Sequence, residues 1–404
     1  MRGAETLLDF IKPDTTAFVQ GCSGESKLLA ELVNQPGDRL RHINFTGIQV
    51  PGVNCCDWLA NDTCTFTTFF ITPQLMSEDH RVRYLPYSYT DILAHFGTIA
   101  IDTALFSVSP PDKNGICSFG TTVDFLAEIW PKIPVRLAHI NPLMPQTRSS
   151  HGIPVSELVI MSEAPEPLTG VPPTTPDKIA SAIAFHIQDY IQDNTTLQTG
   201  LGKLPGTVLL SLKDRKGLKI HSGLIGDEAM DLLRSGAIGN GDDICAGVAI
   251  GSPDFYEALP ASGIRFEPVS HTHNPQILAG RRGLVAINSA LEVDLFGQVY
   301  SERSSSGWTS GIGGLREFTR GAKAASGLRI IILPATHRYG SRIISPFEAR
   351  GPVSLNRGDT DIVITEYGAA DLRGLTVAER AARLISIAAP DHREALERAS
   401  HEFS

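Results

Sequence analysis

Short apolar runs that suit β-strands alternate along the chain with amphipathic segments that suit helices. The predicted strands are 16–20, 99–108, 135–140, 158–161, 196–199, 284–286, 329–333 and 361–365, and the predicted helices are 26–34, 178–193 and 227–235. Within the second of these helices, Ile183, Ile187 and Ile191 recur at helical spacing and predict one buried face. The alternation of strand and helix predicts an α/β fold with mostly parallel sheets and helices on their faces.

A proline-rich segment divides the pattern. The stretch APEPLTGVPPTTPD at 164–177 has five prolines, which remove amide donors and oppose both helix and central strand. It therefore predicts a linker at 166–177 between an N-terminal α/β domain at 1–165 and a C-terminal α/β domain at 178–404.

The two halves resemble each other weakly. Residues 16–33 read TAFVQGCSGESKLLAELV and residues 195–212 read TTLQTGLGKLPGTVLLSL, each of which suits a strand, a glycine turn and a helix. Later in each half a strand leads to an Asp and a Gly, at 103–115 and 288–298. These pairs predict two copies of one α/β unit facing each other across a cleft.

Composition narrows the class of protein. The chain has 404 residues, which suits two domains, and its net charge of −9 with no dense Lys/Arg run argues against a nucleic-acid partner. Six cysteines form no C-x-x-C pair and are expected to be reduced. The N-terminal segment does not suit a secretory signal, and no stretch approaches the roughly 18 apolar residues of a membrane span. We expect a soluble cytoplasmic protein without a membrane partner, and the sequence leaves a homo-oligomer open.

Two glycine-rich turns could carry chemistry. In Gly200-Leu201-Gly202-Lys203, between a predicted strand and a predicted helix, glycines let amide groups point outward at a helix N-terminus, where negative charge is favoured. The cluster Ser310-Gly311-Ile312-Gly313-Gly314 also suits backbone brought close to a ligand. A plain βα turn and a flexible surface loop are the structural alternatives, and sequence alone leaves both open.

Other catalytic patterns are missing. His271 and His273 form an H-x-H pair, but no carboxylate or third histidine stands at a ligand-like spacing, so we expect no metal. The absence of a G-x-S-x-G elbow argues against an α/β-hydrolase serine mechanism.

Six segments together resemble the acetyl-CoA hydrolase/transferase family. They are SVSPPDKNGICSFG at 107–120, HINPLMPQT at 139–147, GLGKLPGTVLLSLKD at 200–214, AINSALEVDLFGQVYSE at 286–302, GIGGLREFTRGA at 311–322 and TEYGAADLRGLTVAERA at 365–381. The resemblance implies two related open α/β/α domains with the active site between them. It also implies coenzyme A as part of the substrate rather than a bound cofactor, with an acyl-CoA and a carboxylate acceptor as partners.

The resemblance assigns roles to the glycine turns. In the transferases of this family a glutamate attacks the acyl-CoA carbonyl and then becomes a glutamyl-CoA thioester, since a carboxylate can pass an acyl unit between thiolate and carboxylate. Backbone amides hold the developing oxyanion. By resemblance the residues that hold it here are Leu201, Gly202, Gly311, Gly313 and Gly314.

The chain departs from the family where the nucleophile belongs. The matching segment is HSGLIGD at 221–227, and Gly223 stands in the place of the glutamate. Three explanations stay open: water and another base cleave the CoA thioester or another bond of the substrate, a displaced carboxylate transfers CoA, or the protein binds CoA esters without turnover. The candidate bases are Glu25, Glu228 and Glu317, and His221 is a candidate for polarising the substrate.

Overall fold

The structure is a computed structural model that describes residues 9–34, 40–71, 75–76, 79–149, 151–304, 307–338 and 340–402. Its named helices are α1 Lys27–Val33, α2 Tyr89–Thr98, α3 Leu126–Ile129, α4 Lys178–Ile187, α5 Lys203–Leu210, α6 Asp227–Ser235, α7 Pro253–Ser262, α8 Val269–Thr272, α9 Pro275–Ala279, α10 Leu315–Ala324, α11 Val377–Ser386 and α12 Pro390–Ser400. The fold is mixed α/β with mostly parallel sheets, as the sequence predicts.

The strands are short. They are β1 Thr16–Val19, β2 Asn44–Gly47, β3 Thr65–Thr68, β4 Val82–Tyr84, β5 Thr103–Val108, β6 Ile116–Cys117, β7 Val135–Ile140, β8 Ile153–Pro154, β9 Val159–Ser162, β10 Thr196–Thr199, β11 Lys219–Ile225, β12 Ile244–Ala249, β13 Arg265–Phe266, β14 Val285–Ser289, β15 Glu292–Asp294, β16 Val299–Tyr300, β17 Arg303–Ser304, β18 Gly307–Trp308, β19 Leu328–Ile332, β20 Thr336–His337, β21 Gly340–Ser341, β22 Ile343–Ile344, β23 Ile362–Thr365 and β24 Gly368–Asp371.

The chain divides into two compact units. The first consists of Met1–Pro172 and Cys245–Thr272, and the second of Pro173–Ile244 and His273–Ser404. The segment 245–272 therefore belongs to the first unit although it follows the start of the second. The domain limits that the sequence places at 165 and 178 stay a prediction.

The first unit is built on a seven-stranded sheet in the order β4-β3-β2-β1-β5-β7-β9. Every pair in it is parallel. All six residues of β5, TALFSV, are buried, as expected for a central strand of a parallel sheet that is covered on both faces. From β1 the chain adds strands in one direction up to β4 and in the opposite direction from β5. Open α/β sheets bind ligands at the carboxyl ends of the strands where the direction changes in this way.

The second unit repeats this plan. Its strands lie in the order β11-β10-β14-β19-β23-β24 and are parallel except for the last pair. The order turns back between β10 and β14, so β10 corresponds to β1 and β14 to β5. This repeated order is what two copies of one unit would give.

A glutamate from the predicted linker caps the first helix of the first unit. The two carboxylate oxygens of Glu166 accept hydrogen bonds from the backbone amides of Lys27 and Leu28, both at 2.9 Å. The backbone amide and carbonyl of Glu166 pair with the side chain of Asn141, at 3.1 and 2.7 Å. A carboxylate at a helix N-terminus satisfies amides that have no partner within the helix, so this residue is an anchored part of the first unit.

Predicted elements differ from the observed ones mainly at their ends. The predicted strand at 99–108 begins only at Thr103, because α2 extends to Thr98. The predicted helix at 178–193 is α-helical to Ile187 and continues as a 3-10 turn over Gln188–Tyr190. Among the described residues, no helix combines the length and the apolar character that a bilayer crossing needs.

Candidate active site

The glycine turn after β10 lies at the switch point of the second unit. β10 is buried throughout and ends at Thr199, and α5 begins at Lys203. Gly202 caps α5 with φ +117°, a conformation that favours glycine, and a Cβ built on Gly202 or Gly200 has no neighbour within 4 Å. The first amides of α5 therefore follow a turn that is open at both of its glycines. This is the geometry that the predicted oxyanion role of Leu201 and Gly202 needs, and the role itself stays a prediction.

β11 carries the segment in which the sequence predicts a departure from the family pattern. His221 and Ser222 are buried, and the Ser222 hydroxyl donates to the Thr199 carbonyl at 2.8 Å, which ties β11 to the end of β10. Gly223 follows and is half-buried. Since side chains alternate along a strand, Gly223 belongs to the same face as His221.

A histidine fills the space beside Gly223. A Cβ built on Gly223 would lie 3.0 Å from Cε1 and 3.1 Å from Nε2 of His273. His273 follows α8, is 1% exposed, and lies in the same compact unit as Gly223. The ring thus lies against the position of a Cβ at residue 223, closer than ordinary van der Waals contact.

The second glycine cluster contacts the same ring. A Cβ built on Gly314, the residue that caps α10, would lie 2.5 Å from Nε2 and 2.8 Å from Cδ2 of His273. Phe318, one turn into α10, packs on the ring with 4.7 Å between centroids and an interplanar angle of 52°. Gly313 has φ +60°, which allows the tight turn before the helix. Glycine at 314 is therefore required by the close approach of His273.

Burial sets the protonation of this histidine. Desolvation, followed by the charge of His221, lowers the pKa of His273 to about 3. The imidazole is neutral at physiological pH, because a buried site disfavours the charged form. The expectation that the chain holds no metal stays a prediction.

Glu25 has the contacts of a structural carboxylate. It is 2% exposed, and its two oxygens accept hydrogen bonds from the amides of Cys55, at 3.1 Å, and Cys56, at 3.3 Å. The turn that carries it is tight, since a Cβ on Gly21 would lie 1.6 Å from the Ile48 carbonyl oxygen. This residue follows β1 in the first unit, just after the turn that the sequence pairs with the Gly200–Gly202 turn of the second.

The other two candidate bases lie on different helices of the second unit. Glu228 is in the first turn of α6, and its Oε1 would be 2.7 Å from a Cβ built on Gly206, so this carboxylate lies against α5. Glu317 is buried in the first turn of α10, next to Phe318. Their catalytic roles, like those of His221 and Gly311, stay predictions.

The structure therefore brings together Gly223, Gly314 and His273. Sequence reasoning singled out both glycines but considered His273 only as part of a metal pair. The residue is fifty positions from Gly223 along the chain, and no periodicity connects them. The available signal was the coincidence of the predicted loss of the nucleophile at Gly223 with a histidine directly before Asn274-Pro275.

Comparisons with known proteins agree with the fold. Residues 251–400 match the family described as acetyl-CoA hydrolase/transferase C-terminal domain. The chain is 35% identical over 328 residues to 4-hydroxybutyrate coenzyme A transferase of Clostridium kluyveri, covering 78% of this chain and 76% of that protein. It is 30% identical over 422 residues to succinyl-CoA:acetate/propanoyl-CoA:succinate CoA transferase of Fasciola hepatica, covering 99% and 87%. The crystal structure of RipA from Yersinia pestis superposes with a TM-score of 0.88 at 28% identity, covering 99% and 96%.

Proposed function

The chain belongs to the acetyl-CoA hydrolase/transferase family, and from this premise we propose that it breaks an acyl-CoA thioester without the usual glutamyl-CoA intermediate. Membership makes it an enzyme of acyl-CoA transfer or hydrolysis. The named transferases use coenzyme A esters and carboxylates, which supports an acyl-CoA as substrate and a carboxylate as acceptor in the transfer reaction.

The observation that carries the proposal is the pairing of Gly223 with His273. Glycine offers no nucleophile, and the imidazole lies 3.0 Å from a Cβ at 223, so a glutamate could be placed there only if the ring moved. A carboxylate elsewhere in the site would have to reach the thioester carbonyl from a different direction.

The glycine turns supply the remaining chemistry. Attack on the thioester carbonyl places negative charge on its oxygen, and amides after Gly202 and around Gly313 are suited to stabilise that charge. In hydrolysis, water supplies the oxygen of the new carboxylate, the C–S bond breaks, and the thiolate leaves as coenzyme A and takes up a proton. In direct transfer, a free carboxylate attacks in place of water and forms a mixed anhydride as the thiolate leaves. The thiolate then attacks the acceptor's carbonyl in this anhydride, so that a new CoA ester forms and the original acyl group leaves as its carboxylate.

A panel of acyl-CoA thioesters, with and without acetate, tests the proposal. Hydrolysis releases free thiol without acetate, whereas transfer forms acetyl-CoA without net thiol release. A protein that only binds CoA esters would do neither, and that result would refute the proposed turnover.

The missing intermediate has a separate test. After incubation with a turned-over acyl-CoA, the intact mass of the protein should be unchanged, and borohydride, which reduces a glutamyl thioester, should not inactivate it. A mass increase of one coenzyme A, mapped to a carboxylate, would show that another residue replaces the missing glutamate.

A further inference from the structure

We propose that the second unit binds a small organic cation, an ammonium group on an apolar body, in a cavity whose floor carries the carboxylate of Glu292. The inference goes beyond the proposed function and does not depend on it. The glycines assigned to thioester chemistry, Gly202, Gly223 and Gly313, do not line this cavity.

The cavity offers space for a ligand. Its volume is about 680 Å³, within the range of about 300–1,000 Å³ that is usual for small-molecule sites. All of its lining residues belong to the second unit. Burial distinguishes a floor, which includes Glu292, Ile343 and Leu396, from a rim with the exposed residues Glu348 and Arg350.

The carboxylate on the floor is buried and has no donor. Glu292 lies on β15 and is 4% exposed. Its neighbour Val293 belongs to the apolar core of the second unit, and side chains alternate along a strand, so the Glu292 side chain points away from that core and to the cavity that it lines. No described residue donates a hydrogen bond to this carboxylate or forms an ion pair with it. A buried acceptor without a donor costs free energy, which a ligand that brings a donor would recover.

The nearest cation is already committed to other acceptors. The guanidinium of Arg342 donates from Nε to the Thr336 carbonyl at 3.3 Å and from NH1 to the Leu291 carbonyl at 2.8 Å. Desolvation lowers the pKa of Arg342, and the charge of Glu292 opposes this effect. The guanidinium therefore interacts with the carboxylate through its charge but leaves its oxygens available for hydrogen bonds.

The chemistry of the walls defines the ligand. A carboxylate only accepts hydrogen bonds, and a bond from a cationic N–H is about twice as strong as one from a neutral donor. The side chains of Ile343 and Leu396 on the floor favour an apolar body beside that cation. An anion such as the phosphates of coenzyme A would meet the like charges of Glu292 and Glu348, whereas Arg350 lies at the exposed rim, where solvent and salt screen its charge.

Calorimetric titration of the full chain with straight-chain amines, from butylamine to octylamine, tests the proposal. The matched control ligands are the alcohols of the same length, which keep the apolar body and a neutral donor but lack the charge. We expect each amine to bind about 10- to 100-fold more tightly than its alcohol, as for one hydrogen bond to a charged group. We expect Kd to fall about fourfold with each methylene that is buried.

Three variants assign the binding to this cavity. Glu292→Gln removes the charge at nearly constant size and should weaken octylamine about 10- to 100-fold, to the affinity of octanol. Glu348→Gln is the matched control at the exposed rim and should change the affinity less than about threefold, since exposed charges contribute little. Ala399→Phe, which fills the cavity from α12, should abolish the binding of both ligands. Melting temperatures without ligand show that each variant is folded.

Several outcomes would overturn the proposal. They are equal affinity of amine and alcohol, unchanged binding in Glu292→Gln, or no binding at all, which would leave a cavity that holds only water. Loss of octylamine binding in the presence of saturating coenzyme A would assign the cavity to the acyl-CoA substrate instead. If Glu292→Gln does not fold, Ala399→Phe and the comparison of amine with alcohol still decide. Thioester turnover is not used in any of these measurements, so their failure leaves the proposed function standing.

Discussion

A glutamate introduced at position 223 tests whether His273 excludes the family's nucleophile. In Gly223→Glu the new Cβ would lie 3.0 and 3.1 Å from two ring atoms of His273 and 3.6 Å from Phe318 Cε2. Ordinary contacts at a Cβ begin near 3.4 Å, so the ring must move by a few tenths of an ångström before the carboxylate itself is placed. The second substitution, His273→Ala, removes that obstacle.

The expected size of the effect follows from overpacking. Extra atoms forced into a packed interior cost about 1–3 kcal/mol. This cost should be absent when His273 is alanine. The double variant should therefore be about 1–3 kcal/mol more stable than the summed effects of the two single substitutions predict. For a unit on the order of 200 residues, 1 kcal/mol corresponds to about 2–4 °C in the melting temperature.

Thermal unfolding of the wild type, the two single variants and the double variant measures this coupling. The matched control is Leu224→Glu with and without His273→Ala, because residue 224 precedes the same helix and belongs to the opposite face of β11. Intact mass after incubation with acyl-CoA gives the chemical readout. We expect a CoA adduct in Gly223→Glu/His273→Ala and none in Gly223→Glu alone.

If the change in melting temperature of the double variant equals the sum of the changes of the two single variants, the steric argument is refuted. An adduct of equal extent in the single and double variants would have the same meaning. Failure of the double variant to form an adduct, with the coupling in stability present, would show that the carboxylate fits but is misplaced, since about 1 Å of displacement can remove most of the rate.

Other predictions concern the glycine turns and two carboxylates. Gly202→Val and Gly313→Val, at positions with φ +117° and +60°, should each lose about 100- to 1,000-fold in turnover; unchanged rates in folded variants would remove these turns from the mechanism. Glu228→Gln should keep most of its turnover because the carboxylate lies against Gly206 of α5, and a loss of about 100-fold or more would identify it as a base. Burial, followed by the charge of Glu128, raises the pKa of Asp124 to about 8. The folded state therefore binds more protons than the unfolded state between pH 4 and 8, and stability should fall with rising pH by about 1 kcal/mol per unit in that window. Asp124→Asn should flatten this slope in thermal unfolding measured from pH 5 to 8, whereas an unchanged slope would contradict the assignment.

Local sequence signals predicted much of the scaffold. β10 and the Gly200–Gly202 turn follow from an apolar run ended by glycines, and α6 follows from its acidic first turn and its end at Gly236, which has φ +73°. Such features depend on a few neighbouring residues, which is why they are visible in one sequence.

Features that depend on long-range contacts were missed. The position of His273 beside Gly223 depends on a contact between residues fifty positions apart along the chain, and no local pattern encodes it. The return of residues 245–272 to the first unit is also invisible, because the segment has the same strand–helix character as its neighbours. The exact ends of helices and strands also depend on tertiary context. An example is the change from α-helix to 3-10 turn after Ile187.

The hydrogen bonds between Glu166 and the first amides of α1 have a consequence for dividing the protein into fragments. A fragment that stops at residue 165 would leave the amides of Lys27 and Leu28 without their carboxylate and Asn141 without its backbone partner. Proteases should nick the proline-rich segment beyond this point, where it is mostly exposed, and spare Glu166 itself. An isolated first unit would therefore need to extend past Glu166 and to include residues 245–272. It can be made only from a rearranged chain in which a new connection joins these two stretches directly.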